Sequence, residues 1–161
     1  MPNIQPTGPV LDLPSARNRY QEAFIRRVAE VFRRATGGDL GLDPAAPGES
    51  AWTGGFALLT HRGDAEAVLN YGNLFAQALW ACGWDGFTRL PSRATAPEQG
   101  REARAAMMET VMRDGFVSGY DGERVAADGS RFIIRDVTVW RLRDADGDFG
   151  VAAFFRRFDR L

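Results

Sequence analysis

The N-terminal third of the chain alternates apolar and polar positions with the period of an α-helix. Between residues 15 and 36, charged side chains, mostly arginine, separate apolar residues that recur at three- and four-residue steps. This pattern predicts an amphipathic helix with Ser15 as its N-cap and Gly37 at its end. The apolar stripe must be covered either by the chain's own sheet or by a second subunit. Its members are Tyr20, Phe24, Val28, Val31, Phe32 and Ala35.

The pattern changes after this helix. Residues 38–55 contain five glycines and two prolines without apolar periodicity, which indicates a linker. Beyond the linker, short apolar runs alternate with turn residues, and Asn73 precedes an almost wholly apolar run, which predicts a helix with an asparagine cap. The predicted elements are strands over 56–60 and 67–71, a helix over 73–81, a helical turn or two over 84–91 and a long helix over 97–114.

The last third of the chain predicts strands only. Two Asp-Gly pairs, at 128–129 and 146–147, separate three runs of β-favouring residues, and such a pair between strands is a strong hairpin signal. The runs 116–126, 131–143 and 149–158 therefore predict an antiparallel meander. The order of helix, two strands, helices and three strands predicts an α+β fold with an antiparallel sheet.

The length of the chain predicts one domain. A chain of 161 residues suits a single domain with one substantial core. We divide it into a flexible leader at 1–14, an N-terminal flanking helix at 15–37, a linker at 38–55 and a core at 56–161.

Several clusters of residues, in a consistent order, resemble one protein family. They are Thr60-His61-Arg62-Gly63, Asn70 to Trp80, Phe87 to Arg93, Gly115-Phe116, Tyr120 to Arg124 and Asp136 to Trp140. Over roughly residues 20 to 155 the sequence resembles the MEKHLA domain family, which is PAS-like. The resemblance implies a five-stranded antiparallel sheet, built from the two early strands and the meander, with helices over one face. It also implies a sensory or regulatory role, and it carries over no catalytic residue.

Composition narrows the range of functions. A net charge near −1, with short arginine pairs among acidic residues, argues against a nucleic-acid partner. All 20 basic residues are arginine, which excludes lysine Schiff-base chemistry. A single cysteine, Cys82, rules out an internal disulfide and fits a reducing cytoplasm. No apolar run approaches the roughly 18 residues of a membrane helix, and the start lacks the pattern of a signal peptide, so we expect a cytoplasmic protein without a membrane partner.

The resemblance to PAS-like domains brings two cofactor chemistries into question. Photosensory flavin domains place a reactive cysteine directly after an asparagine at a helix start, whereas here Leu74 follows Asn73 and Cys82 lies at the far end of the helix. Haem sensors usually use a histidine on the long helix before the meander, and the predicted helix there contains none. A flavin–cysteine adduct and a histidine-ligated haem are therefore disfavoured, and the cofactor stays unknown.

The sequence predicts no metal site. With one histidine and one cysteine, a metal would need mostly carboxylate ligands. The segment 144–148 begins like a calcium loop, but its twelfth position is Phe155 rather than glutamate, so we interpret the segment as a hairpin turn. The methionines of the long helix, Met107, Met108 and Met112, are interpreted as core fillers rather than haem ligands.

Three polar residues where the second strand meets the apolar helix form the best candidate ligand site. Asn70, Tyr71 and Asn73 could hold the polar edge of a ligand. Equally, the asparagines could cap the helix while the aromatic residues complete a dry core, and the sequence leaves both interpretations open. The candidate aromatic walls are Trp80, Trp84, Phe87, Phe132 and Trp140.

His61, Tyr120 and Arg135 complete the set of candidate residues. His61 lies at the end of the first strand, where it could hold a ligand or bond to a neighbouring carbonyl. Tyr120 could supply an acid–base group. Arg135 could anchor an anionic ligand or mark the solvent or dimer face. Strict alternation places Arg135, Ile133, Val137 and Val139 on one face of their strand, and Phe132, Ile134, Asp136, Thr138 and Trp140 on the other.

These observations predict a small-molecule-binding sensory module of the cytoplasm. The amphipathic helix over 15–36 is the natural element for a homodimer, and a sensor of this size would act through a separate signalling partner. Two other functions stay open: a small stand-alone enzyme that uses the same pocket, and an interaction adaptor whose core is filled.

Overall fold

One antiparallel sheet carries the fold. The structure, a computed structural model, describes residues 8–161. Within that range the strands are β1 (Ala57–His61), β2 (Leu69–Gly72), β3 (Phe116–Val125), β4 (Arg131–Asp144), β5 (Gly147–Phe155) and β6 (Arg157–Arg160). The α-helices are α1 (Glu22–Thr36), α2 (Pro47–Thr53), α3 (Leu74–Leu79), α4 (Trp84–Phe87) and α5 (Arg101–Asp114), with short 3-10 turns at Ala16–Asn18, Ser92–Thr95 and Glu98–Gly100.

The strands are ordered β2-β1-β5-β4-β3 across the sheet. The two early strands and the meander therefore join in one antiparallel sheet, as the sequence predicts. The third run of the meander is interrupted at Arg156, so that β5 pairs with the second half of β4 and β6 pairs with its first half. β4 lies at the centre of this arrangement, because β3 pairs with it along the other side.

A bulge at Asp136 changes which side chains of β4 face each side of the sheet. Asp136 adopts a left-handed backbone conformation, with φ at 52°, and its amide donates to Asp121 Oδ1 at 2.9 Å. Ile134 and Val137 consequently face the same side, while Trp140 faces the other. The prediction from strict alternation, which put Ile134 with Trp140 and opposite Val137, is wrong, because one residue of the strand is taken up by the bulge.

The helices α3, α4 and α5 cover one face of the sheet. Asn73 caps α3 as predicted, since its side-chain oxygen accepts from the amide of Ala76 at 3.1 Å. On this face α5 buries Met107 and Val111. We call the apolar cluster between these helices and the sheet the cavity core; its largest members are Trp80, Phe87, Phe132, Ile134, Val137 and Phe155.

The helices α1 and α2 cover the opposite face. The stripe of Phe24, Val28 and Phe32 is buried there, and the ring of Phe32 lies 4.8 Å from that of Trp140. We call this cluster the N-terminal core. The stripe is thus covered by the chain's own sheet, and a dimer through residues 15–36 would have to use the charged outer face of α1. The predicted linker 38–55 contains α2, whose Trp52 joins the same core.

Residues 8–14 are held to the body of the protein; the rest of the predicted leader, residues 1–7, lies outside the described residues. The amide of Gly8 donates to the carbonyl of Arg62 at 2.8 Å. A Cβ at Gly8 would lie 2.6 Å from the Phe149 carbonyl oxygen, so glycine permits this close approach. Among residues 8–161, the helices are too short and too polar to cross a bilayer.

Candidate functional site

A small cavity lies inside the cavity core, between the sheet and α5. Its volume is about 60 Å³, which corresponds to roughly two water molecules. Strands β1, β4 and β5 form the floor, and Trp80 and the 3-10 turn Ser92–Thr95 form one side. α5 and β3 close it, with Arg104 from the helix and Arg124 from the strand. The cavity therefore combines apolar walls with two guanidinium groups.

Arg104 lies on the apolar side of α5, one turn before Met107 and Met108. Its side chain is half-buried, and Nη2 donates to the hydroxyl of Ser92. It forms no ion pair with a carboxylate of residues 8–161. Burial lowers the pKa of Arg104, and the neighbouring charge of Arg124 lowers it further. Tyr120 partly opposes these two effects on the pKa.

Arg124 faces Arg104 from β3 and is more deeply buried, with 6% of its surface exposed. Its Nη1 donates to its neighbour's carbonyl, that of Glu123, at 2.8 Å, and its Nη2 lies 3.4 Å from the hydroxyl of Tyr120. Carboxylates of the described chain do not pair with it either. Two neighbouring guanidinium groups, one half-buried and one buried, therefore have neutral oxygens and the Tyr120 ring as partners within residues 8–161, and no carboxylate.

His61 lines the same cavity from the end of β1. Its Nδ1 accepts from the amide of Gly63 at 3.0 Å, which assigns the ring proton to Nε2 in the neutral form. Nε2 is buried and has no partner within residues 8–161. Burial lowers the pKa of His61 to about 4, the charge of Arg104 acts in the same direction, and Asp64 partly opposes them. At neutral pH this ring is an uncharged donor.

Trp80 contributes a further donor without a partner. Its indole ring lines the cavity, and its Nε1 is buried with no acceptor among the described residues. Buried polar groups are normally paired, so each exception calls for an explanation. The hydroxyls of the adjacent turn are engaged: Thr95 Oγ1 donates to the Ser92 carbonyl at 2.6 Å, and Ser92 Oγ accepts from Arg104. The lining thus contains an excess of donors over acceptors and no carboxylate.

A surface groove adjoins the cavity. It has a volume of about 350 Å³ and shares His61, Arg104, Met108 and Val151 with the cavity lining. The groove runs along α5 to Met112, which is 45% exposed. A small molecule could therefore reach the cavity beside α5 without crossing the sheet.

Of the residues predicted from the sequence, three line the cavity: His61, Trp80 and Tyr120. The other eight lie elsewhere. Tyr71, Trp84 and Trp140 belong to the N-terminal core, on the opposite face, where burial raises the pKa of Tyr71 far above its usual range. Phe87 and Phe132 pack behind Trp80, with ring centroids 6.3 Å and 5.1 Å from it.

The two asparagines hold backbone segments together. Both hydrogen-bonding atoms of the Asn73 side chain are fully used: Oδ1 accepts from Leu58 at 3.2 Å as well as from Ala76, and Nδ2 donates to the carbonyls of Ala51 and Phe56 at 2.9 and 2.7 Å. Asn70 accepts from the hydroxyl of Thr60 at 2.5 Å and donates to the carbonyl of Pro9 at 2.8 Å. The contacts of both residues are those of structural ties rather than of a ligand site.

Arg135 lies on the protein surface. Its Nε donates to Asp159 at 2.9 Å and its Nη1 to Asp121 at 3.2 Å. These two carboxylates already neutralise its charge, in contrast to Arg104 and Arg124. The segment 144–148 is the β4–β5 turn, and side chains of residues 8–161 form no cluster suited to a metal ion.

Sequence reasoning missed most of the cavity lining, including its polar residues Arg104, Arg124 and Ser92. A signal for Arg104 was available, because Met107, Met108 and Val111 form an i, i+3, i+4, i+7 series with it. A charged residue in an apolar stripe is a candidate buried polar group. Arg124 gave a weaker signal, since its strand β3 alternates irregularly and contains two glycines.

Sequence comparison assigns the chain to a family. The model of the MEKHLA domain matches residues 22–160. The chain belongs to the MEKHLA domain family. No curated protein matches the chain.

Solved structures show that this MEKHLA domain has the PAS-like fold. A PAS domain of a protein from Colwellia psychrerythraea is 11% identical over 70% of this chain and 92% of its own, with a TM-score of 0.58. The blue-light photoreceptor Vivid is 14% identical over 82% and 92%, with a TM-score of 0.56. A fungal LOV domain photoreceptor is 16% identical over 88% and 91%, with a TM-score of 0.58. At these identities the likeness establishes the fold alone.

The residues of this MEKHLA domain do not fit a flavin or a haem. The cavity of about 60 Å³ is well below the volume of at least about 300 Å³ that sites for larger organic ligands have. Cys82 is not among the residues that line it, and burial raises the pKa of its thiol, which makes it a poor nucleophile. The one histidine accepts a hydrogen bond from the Gly63 amide at Nδ1, so the proton of the neutral ring is on Nε2 and this nitrogen has no free lone pair for haem iron.

The pKa of His61 predicts how stability depends on pH. Its pKa is about 4 in the folded protein and 6.5 in the unfolded chain. Between these two pH values the unfolded chain is protonated at this residue and the folded protein is not. We expect this residue alone to lower the free energy of unfolding by up to about 3 kcal/mol between pH 6.5 and 4.

Urea unfolding of the wild type and of His61→Gln across this pH range isolates the effect, because other groups titrate in both proteins. The groups that face His61 are Arg104 on α5, Asp64 in the β1–β2 loop and Asp148 across the groove. The difference in stability between the two proteins should shrink as the pH falls. A constant difference would contradict the assigned pKa.

Proposed function

We propose that this MEKHLA domain is a sensory module that binds a small molecule in its cavity and acts through a separate partner. One observation carries the proposal: the cavity is lined by the donors of Arg104, Arg124, His61 and Trp80, which lack enough acceptors within residues 8–161, and Nε2 of His61 and Nε1 of Trp80 are buried without any. Unsatisfied buried groups cost about 1–3 kcal/mol each, and more when charged. A ligand that supplies acceptors would offset this cost.

The two-sided sheet offers a route from the cavity to the surface. Val139 of β4 lines the cavity, and the next residue, Trp140, contacts Phe32 of α1 on the opposite face. A shift of β4 on ligand binding would therefore move α1. The partner we propose is a protein that contacts this outer layer in the cytoplasm, and a homodimer through residues 15–36 would use exposed α1 residues such as Arg26 and Arg33.

The proposal is tested by filling the cavity. Ala153 of β5 is half-buried and lines it, so Ala153→Met should occupy the space that a ligand needs. Ala106→Met makes the same change on the exposed side of α5 and serves as the control. In a thermal-shift screen of acidic, basic and neutral metabolites, a ligand near 100 times its Kd should raise the Tm of the wild type by roughly 5–10 °C.

The same compound should act on Ala106→Met as on the wild type and leave Ala153→Met unaffected. Native mass spectrometry of the freshly purified proteins adds a direct check for a bound mass. Equal shifts in Ala153→Met would place the ligand outside the cavity, and the absence of any shift in the wild type would contradict ligand binding.

The small volume of the cavity favours a second function, that of an interaction adaptor with a filled core. An adaptor has no need for two guanidinium groups at a cavity without a carboxylate from residues 8–161 beside them, and this observation favours the sensor. No comparable observation favours an enzyme. An adaptor would bind its protein partner equally well as wild type and as Ala153→Met.

A further inference from the structure

We infer that the ligand of this cavity is a short-chain carboxylate whose carboxyl group lies between Arg104 and Arg124. The inference rests on the proposed function, because it names the class of molecule that the same cavity would bind. The choice of a carboxylate follows from the charge, the hydrogen-bonding groups and the apolar walls of the cavity.

The charge of the cavity calls for an anion. Two half-buried arginines elsewhere in the chain have carboxylate partners: Arg27 contacts Asp144 at 2.9 Å, and Arg141 contacts Asp148 at 2.7 Å. The two arginines of the cavity, Arg104 half-buried and Arg124 buried, are the reverse case, because within residues 8–161 they contact neutral oxygens rather than carboxylates. Uncompensated buried charge is costly, and two like charges side by side make it more so. One bound negative charge would relieve both.

The hydrogen-bonding groups call for an acceptor. Nε2 of His61 and Nε1 of Trp80 are donors without partners, and the guanidinium groups carry further N–H bonds. A carboxylate offers about four lone-pair sites and matches the planar fork of an arginine. An ammonium ligand would be repelled, and a hydroxyl or amide would leave the two charges unbalanced.

The remaining walls call for an apolar tail. Ile134, Val137, Val139 and Phe155 line the cavity and present no polar side-chain atoms. Phosphate or sulfate would place oxygens against these apolar side chains, where the oxygens would lack hydrogen-bond donors. A carboxyl group on a short alkyl chain satisfies both halves of the lining, and the volume of about 60 Å³ limits the length of that chain.

The test compares propionate with propionamide, its neutral counterpart of the same shape. Acetate and butyrate vary the chain length, and sodium phosphate supplies an anion without an apolar tail. The Tm of the full chain is measured at neutral pH, with ionic strength held constant by sodium chloride, and Kd is then measured by calorimetry. We expect propionate or one of its homologues to raise the Tm, and propionamide and phosphate to have no effect.

Three variants locate the carboxyl group. Arg104→Gln and Arg124→Gln each remove one of the two charges and should weaken carboxylate binding at least about tenfold, or about 1.4 kcal/mol. Arg101→Gln removes an exposed arginine of the same helix and should bind as the wild type does. Without ligand, neither cavity variant should lose stability, because each removes a charge that has no carboxylate partner within residues 8–161; a purely structural arginine would cost stability when replaced.

The outcomes separate this inference from the proposed function. If an uncharged metabolite raises the Tm and Ala153→Met abolishes that shift, the cavity binds a ligand but the carboxylate is wrong. A response to phosphate alone would replace the carboxylate by an inorganic oxyanion. Equal effects of propionate and propionamide would overturn the role of charge without the need for any variant to fold. If nothing binds the wild type, both proposals fail.

Discussion

Replacing Phe32 by glutamate should detach α1 from the sheet and remove most of the stability of the domain. The ring of Phe32 is 8% exposed and lies 4.8 Å from Trp140 in an edge-to-face arrangement. Truncation of a buried phenylalanine costs about 3–5 kcal/mol, and a carboxylate without a partner adds to this. The sum is comparable to the roughly 5–15 kcal/mol that stabilises a typical domain.

Urea unfolding, followed by circular dichroism and tryptophan fluorescence, measures the loss. The control is Arg33→Glu, which places the same carboxylate on the neighbouring residue, whose side chain is 59% exposed. Its ion pairs are exposed, so it should change stability by less than about 1 kcal/mol. Similar midpoints for the two variants would show that the α1 stripe contributes little to packing. Sedimentation of both shows whether association depends on α1.

Replacing Asn73 by alanine should lower the free energy of unfolding by about 4 kcal/mol or more. Its buried side chain makes four hydrogen bonds, to Ala51, Phe56, Leu58 and Ala76. They tie the end of α2, the start of β1 and the first turn of α3 to one point. Alanine leaves these four backbone groups without partners, in a place where water has no access.

The matched control for this prediction is Asn18→Ala. Asn18 also makes several hydrogen bonds, to Ser15, Gln21 and Leu13, but near the surface, where water can replace its side chain. We expect a loss of about 1 kcal/mol there, as for the removal of a helix cap. If urea unfolding gave the same small loss for both asparagines, burial would not be what makes Asn73 important.

The parts of the fold that the sequence predicted are those governed by neighbouring residues. Asn73 caps α3 because an asparagine before an apolar run satisfies free amides wherever the run leads. The two Asp-Gly pairs lie at the turns between β3 and β4 and between β4 and β5, close to where the sequence pattern predicts the strand ends. The family resemblance then supplied what local patterns do not contain, namely the order of the strands in one sheet.

The parts that could not be predicted depend on distant contacts. The bulge at Asp136 is held by Asp121 from the neighbouring strand, so nothing close to Asp136 in the sequence announces it. The seven residues of α2 include Gly48 inside the helix, while Pro47 stands at its start, where proline is favoured, and Trp52 packs against the N-terminal core. In both cases tertiary packing outweighs local preference.

The candidate site could be predicted from the sequence only in part. Asn70 and Asn73 suggested a ligand site, but their side chains are used in hydrogen bonds within the chain. The better guide would have been Arg104, a charged residue in the apolar stripe of α5. A residue that breaks a pattern is more informative about function than one that fits it.

Few buried side chains hold α5 to the sheet, and we expect local opening of this helix to set the rate at which a ligand enters and leaves the cavity. This helix buries only Met107 and Val111, whereas α1 buries five side chains. Segments with little buried apolar surface open locally at a fraction of the global unfolding free energy. Because α5 also carries Arg104, an anion shared with Arg124 would fasten the helix to β3. Occupancy would then set the fraction of time that α5 spends closed, and the proposed partner would respond to this population without any change in the rest of the fold.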